Sequence, residues 1–203
     1  MLFHAVVVIL IRLLPVMKRK APQVIILYRH GKVGCDVWRW CRSSALRQVV
    51  NAYDAGAVIV PTQLPSAVRP DLVIVSTKSR SEQSAKMLFG GFDERSDLFR
   101  EAELPDLPFV PIHLPAILWL VTARLVWRLG WRQNCESHAD FKRRAEMAAR
   151  HLVGRCADGR SVALMGHAIL NREIARVLRR DGFRGLESLS RAHWSASNFR
   201  RSM

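Results

Sequence analysis

Two histidines stand where imidazole chemistry on phosphorus could occur. His30 lies in Tyr28-Arg29-His30-Gly31, and His167 follows Met165-Gly166. Between them in the chain comes Arg80, in Ser76-Thr77-Lys78-Ser79-Arg80. Phosphoryl transfer with no evident metal site calls for a nucleophile, cations around the equatorial oxygens and an acid for the leaving oxygen. An imidazole suits the first role because its unperturbed pKa of about 6.5 leaves it largely neutral near pH 7. Arginine suits the second, since its guanidinium stays charged and offers a fork of donors matched to phosphate oxygens. Cations beside a histidine also disfavour its protonation and keep it nucleophilic. Gly31 lets the backbone turn sharply beside a ligand.

An Arg-His-Gly tripeptide arises often by chance, so its position decides its meaning. Gln23 to Tyr28 is a short, continuous apolar run, as expected of a strand buried on both faces, and Arg29-His30 follows it directly. Asp71 to Val75 and Ser161 to Met165 read the same way, and they precede Arg80 and Gly166-His167. Helices are expected from Ser43 or Ser44, as N-cap, to about Asp54, and over Ser81–Phe89 with Gly90-Gly91 as the stop. Another is expected over Asn171–Arg180. Ser137-x-x-Asp140 resembles a capping box that opens a long amphipathic helix to about Val153. Ala57 to Val60 is a candidate strand, and Phe92 to Pro115 reads as an acidic, proline-rich loop. Ala116 to Trp131 is apolar but carries Arg124 and Arg128, which suits a packed or partly interfacial helix better than a membrane span. Strands alternating with helices imply an α/β class, a three-layer α/β/α sandwich with a largely parallel central sheet. In such sheets ligands collect beyond the carboxyl ends of the strands, where all three charged motifs fall.

The 203 residues fit one domain plus a short appendage, read as an N-terminal segment 1–22 and a domain 23–203. Net charge is +15, which favours anionic partners: phosphorylated small molecules or phosphoproteins, nucleic acid or an acidic membrane. No nucleic-acid motif accompanies the charge, so such a partner is not expected. The tail Arg191 to Arg201 reads as a solvated basic face, in which Arg191-Ala192-His193-Trp194 either adds a further cation or packs, packing being the preferred reading. The four cysteines lack metal-ligand spacing, and reduced thiols are expected. No metal and no cofactor are implied. Met1 to Met17 is mostly apolar and is closed by Lys18-Arg19-Lys20, too short for a span and with its charge on the wrong side for an export signal. It reads as a membrane-associating helix, an uncleaved anchor with the body cytoplasmic, or residues upstream of a native start. The domain itself is expected in the cytoplasm, with membrane association through this segment left open.

Together, Tyr28-Arg29-His30-Gly31, Ser76 to Ala85 and Met165-Gly166-His167 through Asn171-Arg172 resemble the histidine phosphatase superfamily, which includes the phosphoglycerate mutases. Order and spacing match from about Gln23 to the C-terminus. The resemblance implies a metal-independent phosphatase that hydrolyses a phosphomonoester through a phosphohistidine on His30. It implies that Arg29, Arg80 and His167 hold the phosphoryl oxygens. A mutase, or a binder of phosphorylated partners that does not hydrolyse them, would use the same pocket. The family's acid comes from the region between the second and third motifs, where Glu101, in Phe99-Arg100-Glu101, fits better than Glu103. Two residues apart in an extended chain, the two would face opposite ways, so one alone is expected in the pocket. Ala168 stands where the family usually has a second glycine, and Ser84 where it usually has threonine; the usual Glu-Gly pair after the acid is not evident. These departures mark a divergent branch, in which Pro105 to Trp131 builds the substrate wall.

Overall fold

A computed structural model describes residues 22–157, 159–185 and 189–202. The apolar and basic segment 1–20, with its membrane readings, lies outside the described residues. The three apolar runs form β1 (Gln23–Arg29), β3 (Leu72–Ser76) and β6 (Ser161–Gly166). Side chains alternate across these strands. Ile25, Leu27, Leu72, Ile74, Val162 and Leu164 face one core, while Tyr28, Val73, Val75, Ala163 and Met165 face another. Both faces need an apolar cover, and helices supply it. Three strands complete the sheet: β4 (Glu94–Ser96), β7 (Arg184–Gly185) and β8 (Ala196–Arg201). The order is β4-β3-β6-β1-β8-β7; the first four run parallel, whereas β8 is antiparallel to both β1 and β7.

Five α-helices surround the sheet: α1 (Leu46–Ala55), α2 (Ser79–Phe89), α3 (Ala116–Arg128), α4 (His138–Arg155) and α5 (Ala168–Arg180). On one face, α4 presents Phe141, Ala145, Ala148, Ala149 and Leu152, a stripe at helical spacing, beside Leu170, Ile174 and Leu178 of α5. On the other face, α2 contributes Ala85 and Phe89. A separate apolar cluster joins α1 and α3 through Leu46, Val49, Ala116, Trp119 and Ala123. Beside it lies a two-stranded ribbon of β2 (Trp40–Cys41) and β5 (Leu114–Pro115).

Several local expectations need correction. Ala57 to Val60 forms no strand; only Val58 makes an isolated bridge, to Val33. Ser43 is not an N-cap. Its hydroxyl bonds Pro108 O and Val110 N, while Ser43–Ala45 forms a short 3-10 turn before α1. The stretch Phe92 to Pro115 is not all loop, because it supplies β4, the 3-10 turn Asp97–Phe99 and β5. The late helix starts at Ala168 rather than Asn171, and the basic tail becomes β8, with Ser197 and Phe199 buried on alternate positions. Ser137 does cap α4, accepting the Asp140 amide. All four cysteines are free. Among the described residues, no helix is long and apolar enough to cross a membrane.

Candidate active site

Sheet register sets the geometry of the site. Arg29 lies opposite Gly166, and Val75 opposite Met165, so β1, β3 and β6 end level with one another. The residues that follow, His30 and His167, therefore emerge side by side, with ring centroids 5.1 Å apart. The His30 amide donates to Gly166 O at 3.1 Å, which locks the two strand ends together. Asn171, one turn into α5, donates its side-chain amide to Tyr28 O at 2.9 Å. A Cβ at Gly166 would stand 2.5 Å from Asn171 Oδ1, so that position has no room for a side chain.

His30 is 3% exposed and its Nδ1 lies 2.7 Å from Gly31 O. A carbonyl can only accept, so Nδ1 carries the hydrogen and Nε2 carries the lone pair. Burial, then the charge of Arg80, lower the His30 pKa to about 3, with His193 and Arg29 adding to the effect. The ring is neutral at physiological pH, as a nucleophile must be. His167 is fully buried, with its pKa pushed well below the ordinary histidine value, by burial first and then by Arg80. Its Nε2 meets Ser76 Oγ at 2.7 Å, and its Nδ1 has no partner. Arg29 and Arg80 each leave a buried Nε unpartnered as well. Buried nitrogens without a hydrogen-bond partner thus fall on each of Arg29, Arg80 and His167.

The middle motif is held by its serines. Ser81 Oγ accepts the Ser76 amide at 3.1 Å and donates to Met165 O. Ser84 Oγ accepts the Gly31 amide at 2.8 Å and donates to Arg80 O at 2.6 Å. Serine in place of threonine thus keeps a hydroxyl that ties the His30–Gly31 turn to α2.

A pocket of about 600 Å³ opens above these groups, lined by Arg29, Lys78, Arg80, Glu101 and Glu103 among others. Both acids reach it, contrary to the expectation of only one. The Glu101 carboxylate is held on the first turn of α5, accepting the Ile169 amide at 3.1 Å and the Leu170 amide at 3.0 Å. This places it beside His167, whereas Glu103 lies 3.7 Å from Arg100 Nε.

Several polar lining residues were not assigned to the site from sequence. Asp54 bridges Lys78 Nζ and Arg80 Nη1, each at 2.6 Å. Burial pushes the Asp54 carboxyl up, but hydrogen bonds from Lys78 and Arg80 and their charges leave it below the usual value. Tyr53 stacks under Arg80, whose guanidinium carbon is 4.9 Å from the ring centroid. His193, for which packing is preferred over a cationic role in the sequence, sits 5.4 Å from the His30 ring and donates to His30 O at 3.0 Å. Arg124 donates to the carbonyls of Ala102 and Glu103. Lys78 had a sequence signal, two residues before Arg80; Asp54, at the end of a helix far away in the chain, had none.

No family model matches the chain, and no curated protein matches it significantly. Solved structures do. A mycobacterial glucosyl-3-phosphoglycerate phosphatase complexed with VO3 is 19% identical, covering 89% of this chain and 97% of its own, with a TM-score of 0.52. The product of the open reading frame Rv3214 of Mycobacterium tuberculosis is 15% identical, covering 89% and 95%, also at 0.52. YhfR of Bacillus stearothermophilus is 20% identical, covering 77% and 80%, at 0.50. At such low identity the likeness shows the fold alone, a mostly parallel six-stranded sheet flanked by helices, consistent with the phosphoglycerate mutase-like fold.

Proposed function

We propose that the protein is a phosphatase that hydrolyses a phosphomonoester, of a small molecule or a phosphoprotein, through a phosphohistidine at His30. The observation that carries this is the His30 Nδ1 contact to Gly31 O, which leaves Nε2 as the free lone pair among Arg29, Arg80 and His167. Nε2 attacks phosphorus, the P–O bond to the alcohol breaks, and Glu101 gives the leaving oxygen a proton. Water then attacks the phosphoryl group and loses a proton to Glu101, and cleavage of the P–N bond returns neutral His30 and phosphate. Because Ser76 Oγ already accepts the Lys78 amide, its own hydrogen is free for His167 Nε2. In that tautomer Nδ1–H is a donor aimed at a phosphoryl oxygen. The solved phosphatase of similar fold supports the same reading.

Turnover of p-nitrophenyl phosphate by His30→Ala is expected to fall by at least about a thousandfold, with the fold retained by circular dichroism. Undiminished turnover would refute the proposal. Glu101→Gln should slow esters of poor leaving groups far more than the nitrophenyl ester; Glu103→Gln should not. A second reading has an observation behind it: with Asp54 already on Arg80, the pocket would hold a phosphorylated partner without hydrolysing it. Acid-labile phosphate trapped on His30 excludes that reading. A mutase is disfavoured because the cap-side arginines that would bind a carboxylate are engaged, Arg47 by Asp106 and Arg124 by the carbonyls of Ala102 and Glu103. Incubation with 3-phosphoglycerate should yield no isomer.

A further inference from the structure

We propose that α3 and the adjoining ribbon form a surface that docks the protein on an anionic membrane interface, independently of the N-terminal segment. One face of α3 is spent on packing, through Ala116, Trp119, Ala123 and Trp127. Its opposite face carries Leu118, Val121 and Leu125, continued by Leu129 just past the helix end, all exposed. Spacings of three and four residues place them on a single stripe. A helix with apolar residues on both faces is unusual on a protein surface and marks an interaction site.

The ribbon extends the stripe at the helix's N-terminal end. The Ala116 and Ile117 amides bond Arg39 O and Val37 O, and Trp40 pairs with Pro115. Neighbouring residues of a strand point to opposite faces. Cys41 turns inward to the cluster that holds Trp119, so Trp40 turns outward, as Leu118 and Val121 do. Trp40 is 68% exposed and Trp38 69%, and Trp131 beyond the other end of α3 is exposed too.

Charge selects the occupant. Residues 37–42 and 107–135 contain no aspartate or glutamate, although the chain has 17 such residues. They do contain exposed Arg39, Arg42, Arg128 and Arg132. Indoles prefer the boundary between water and hydrocarbon, and arginines can reach from there to lipid phosphates. Apolar stripe, exposed indoles and exposed arginines together fit an acidic bilayer surface. A protein partner would call for shaped, paired polar groups, of which this face offers few. Because α3 also lends Ile117, Leu120 and Arg124 to the pocket, docking would hold the pocket close to the bilayer.

The test is flotation of the full chain with vesicles of phosphatidylcholine alone or mixed with phosphatidylserine. Wild type should bind the mixed vesicles and release them as salt rises. Val121→Glu/Leu125→Glu, which leaves the pocket untouched, should weaken that binding by more than about tenfold, with an unchanged melting curve confirming the fold. Arg128→Gln/Arg132→Gln should weaken it less, and only on the acidic vesicles. Equal binding by wild type and the double glutamate variant overturns the proposal, since attachment then lies elsewhere, as in residues 1–20. No binding by wild type overturns it as well, and so does a concentration-dependent dimer that the glutamates abolish in the absence of vesicle binding.

Discussion

The pocket has two walls, and they are built differently. The sheet wall brings Arg29, Lys78 and Arg80 to the pocket, with the buried His30 and His167 beside them, near level strand ends cross-tied by backbone and serine hydrogen bonds. The cap wall comes from α1 and α3, whose separate cluster reaches the sheet mainly through loops. The second wall carries the aliphatic side chains, such as Val50, Ile117 and Leu120, beside polar groups of its own in Arg47, Asp54 and Arg124. A transferred phosphoryl group is the same in every phosphomonoester, and its ligands need rigid placement. The alcohol differs between substrates, and a wall resting on a smaller core can change without disturbing those ligands.

The two arginines on opposite walls give the sharpest contrast. Arg80 leaves a buried Nε without a partner, whereas Arg124 is hydrogen-bonded to two backbone carbonyls. Arg80→Ala should lower kcat/KM for an aryl phosphate by about a hundred- to a thousandfold, the loss typical for removal of one charge-stabilising donor. Arg124→Gln should act mainly on KM, by about tenfold or less. Steady-state kinetics of both variants decides it, and equal losses in kcat would erase the distinction between the walls.

Glycines separate the walls by stability. A Cβ on Gly31 would stand 2.2 Å from the Trp194 ring and 2.5 Å from Val58. Gly31→Ala should therefore cost about 2–3 kcal/mol in chemical denaturation and displace the tail that carries His193. At the cap, Gly130 has φ of +106° and open space around it, so Gly130→Ala meets only backbone strain of about 1 kcal/mol. An equal loss at both positions would mean that the tail yields easily.

The sheet wall should also give the protein a pH signature. The His30 pKa, at about 3, lies below the value near 6.5 expected in the unfolded chain, and His167 shifts the same way. A depressed histidine means that the unfolded state takes up protons first as pH falls. Its neutral burial is free of this penalty above pH 6.5 and is opposed increasingly below it. From pH 8 to pH 5, His30 alone should remove about 2 kcal/mol of stability. Thermal melts should show a steeper decline for wild type than for His30→Asn. Parallel declines would place the titration elsewhere.

Legibility in the sequence followed the same division. The three strands of the sheet wall are continuous runs of Val, Ile and Leu, so their burial and the location of Arg29, His30, Arg80 and His167 beyond their ends could be read directly. Strand β8 was hidden because Arg200 and Arg201 dominate Ala196–Arg201, while only Ser197 and Phe199 turn inward. Strand β4 is three residues of polar sequence, which lacks any periodic signal. Ala116 to Trp131 read as apolar throughout, but a single sequence does not assign its two faces until α1 covers one of them. Asp54 and His193 reach the site through tertiary placement alone.

Asp54, on α1 of the cap wall, permits the finest test of how the two walls meet. Its carboxylate holds Arg80 and Lys78 at 2.6 Å each, so in the absence of ligand it occupies donors that a phosphate would use. If it merely fills the place of the anion, Asp54→Asn should free those donors. Inorganic phosphate should then inhibit more strongly, with its inhibition constant falling by about two- to fivefold, a modest change because Lys78 and Asp54 are part-exposed and screened. If instead Asp54 orients the Arg80 fork, the same substitution should raise the inhibition constant and lower kcat together. Competition by phosphate against an aryl ester distinguishes the two outcomes. A fall would mean that α1 of the cap wall holds a stand-in for substrate charge against the cations of the sheet wall, whereas Arg124 of α3 is met by backbone carbonyls.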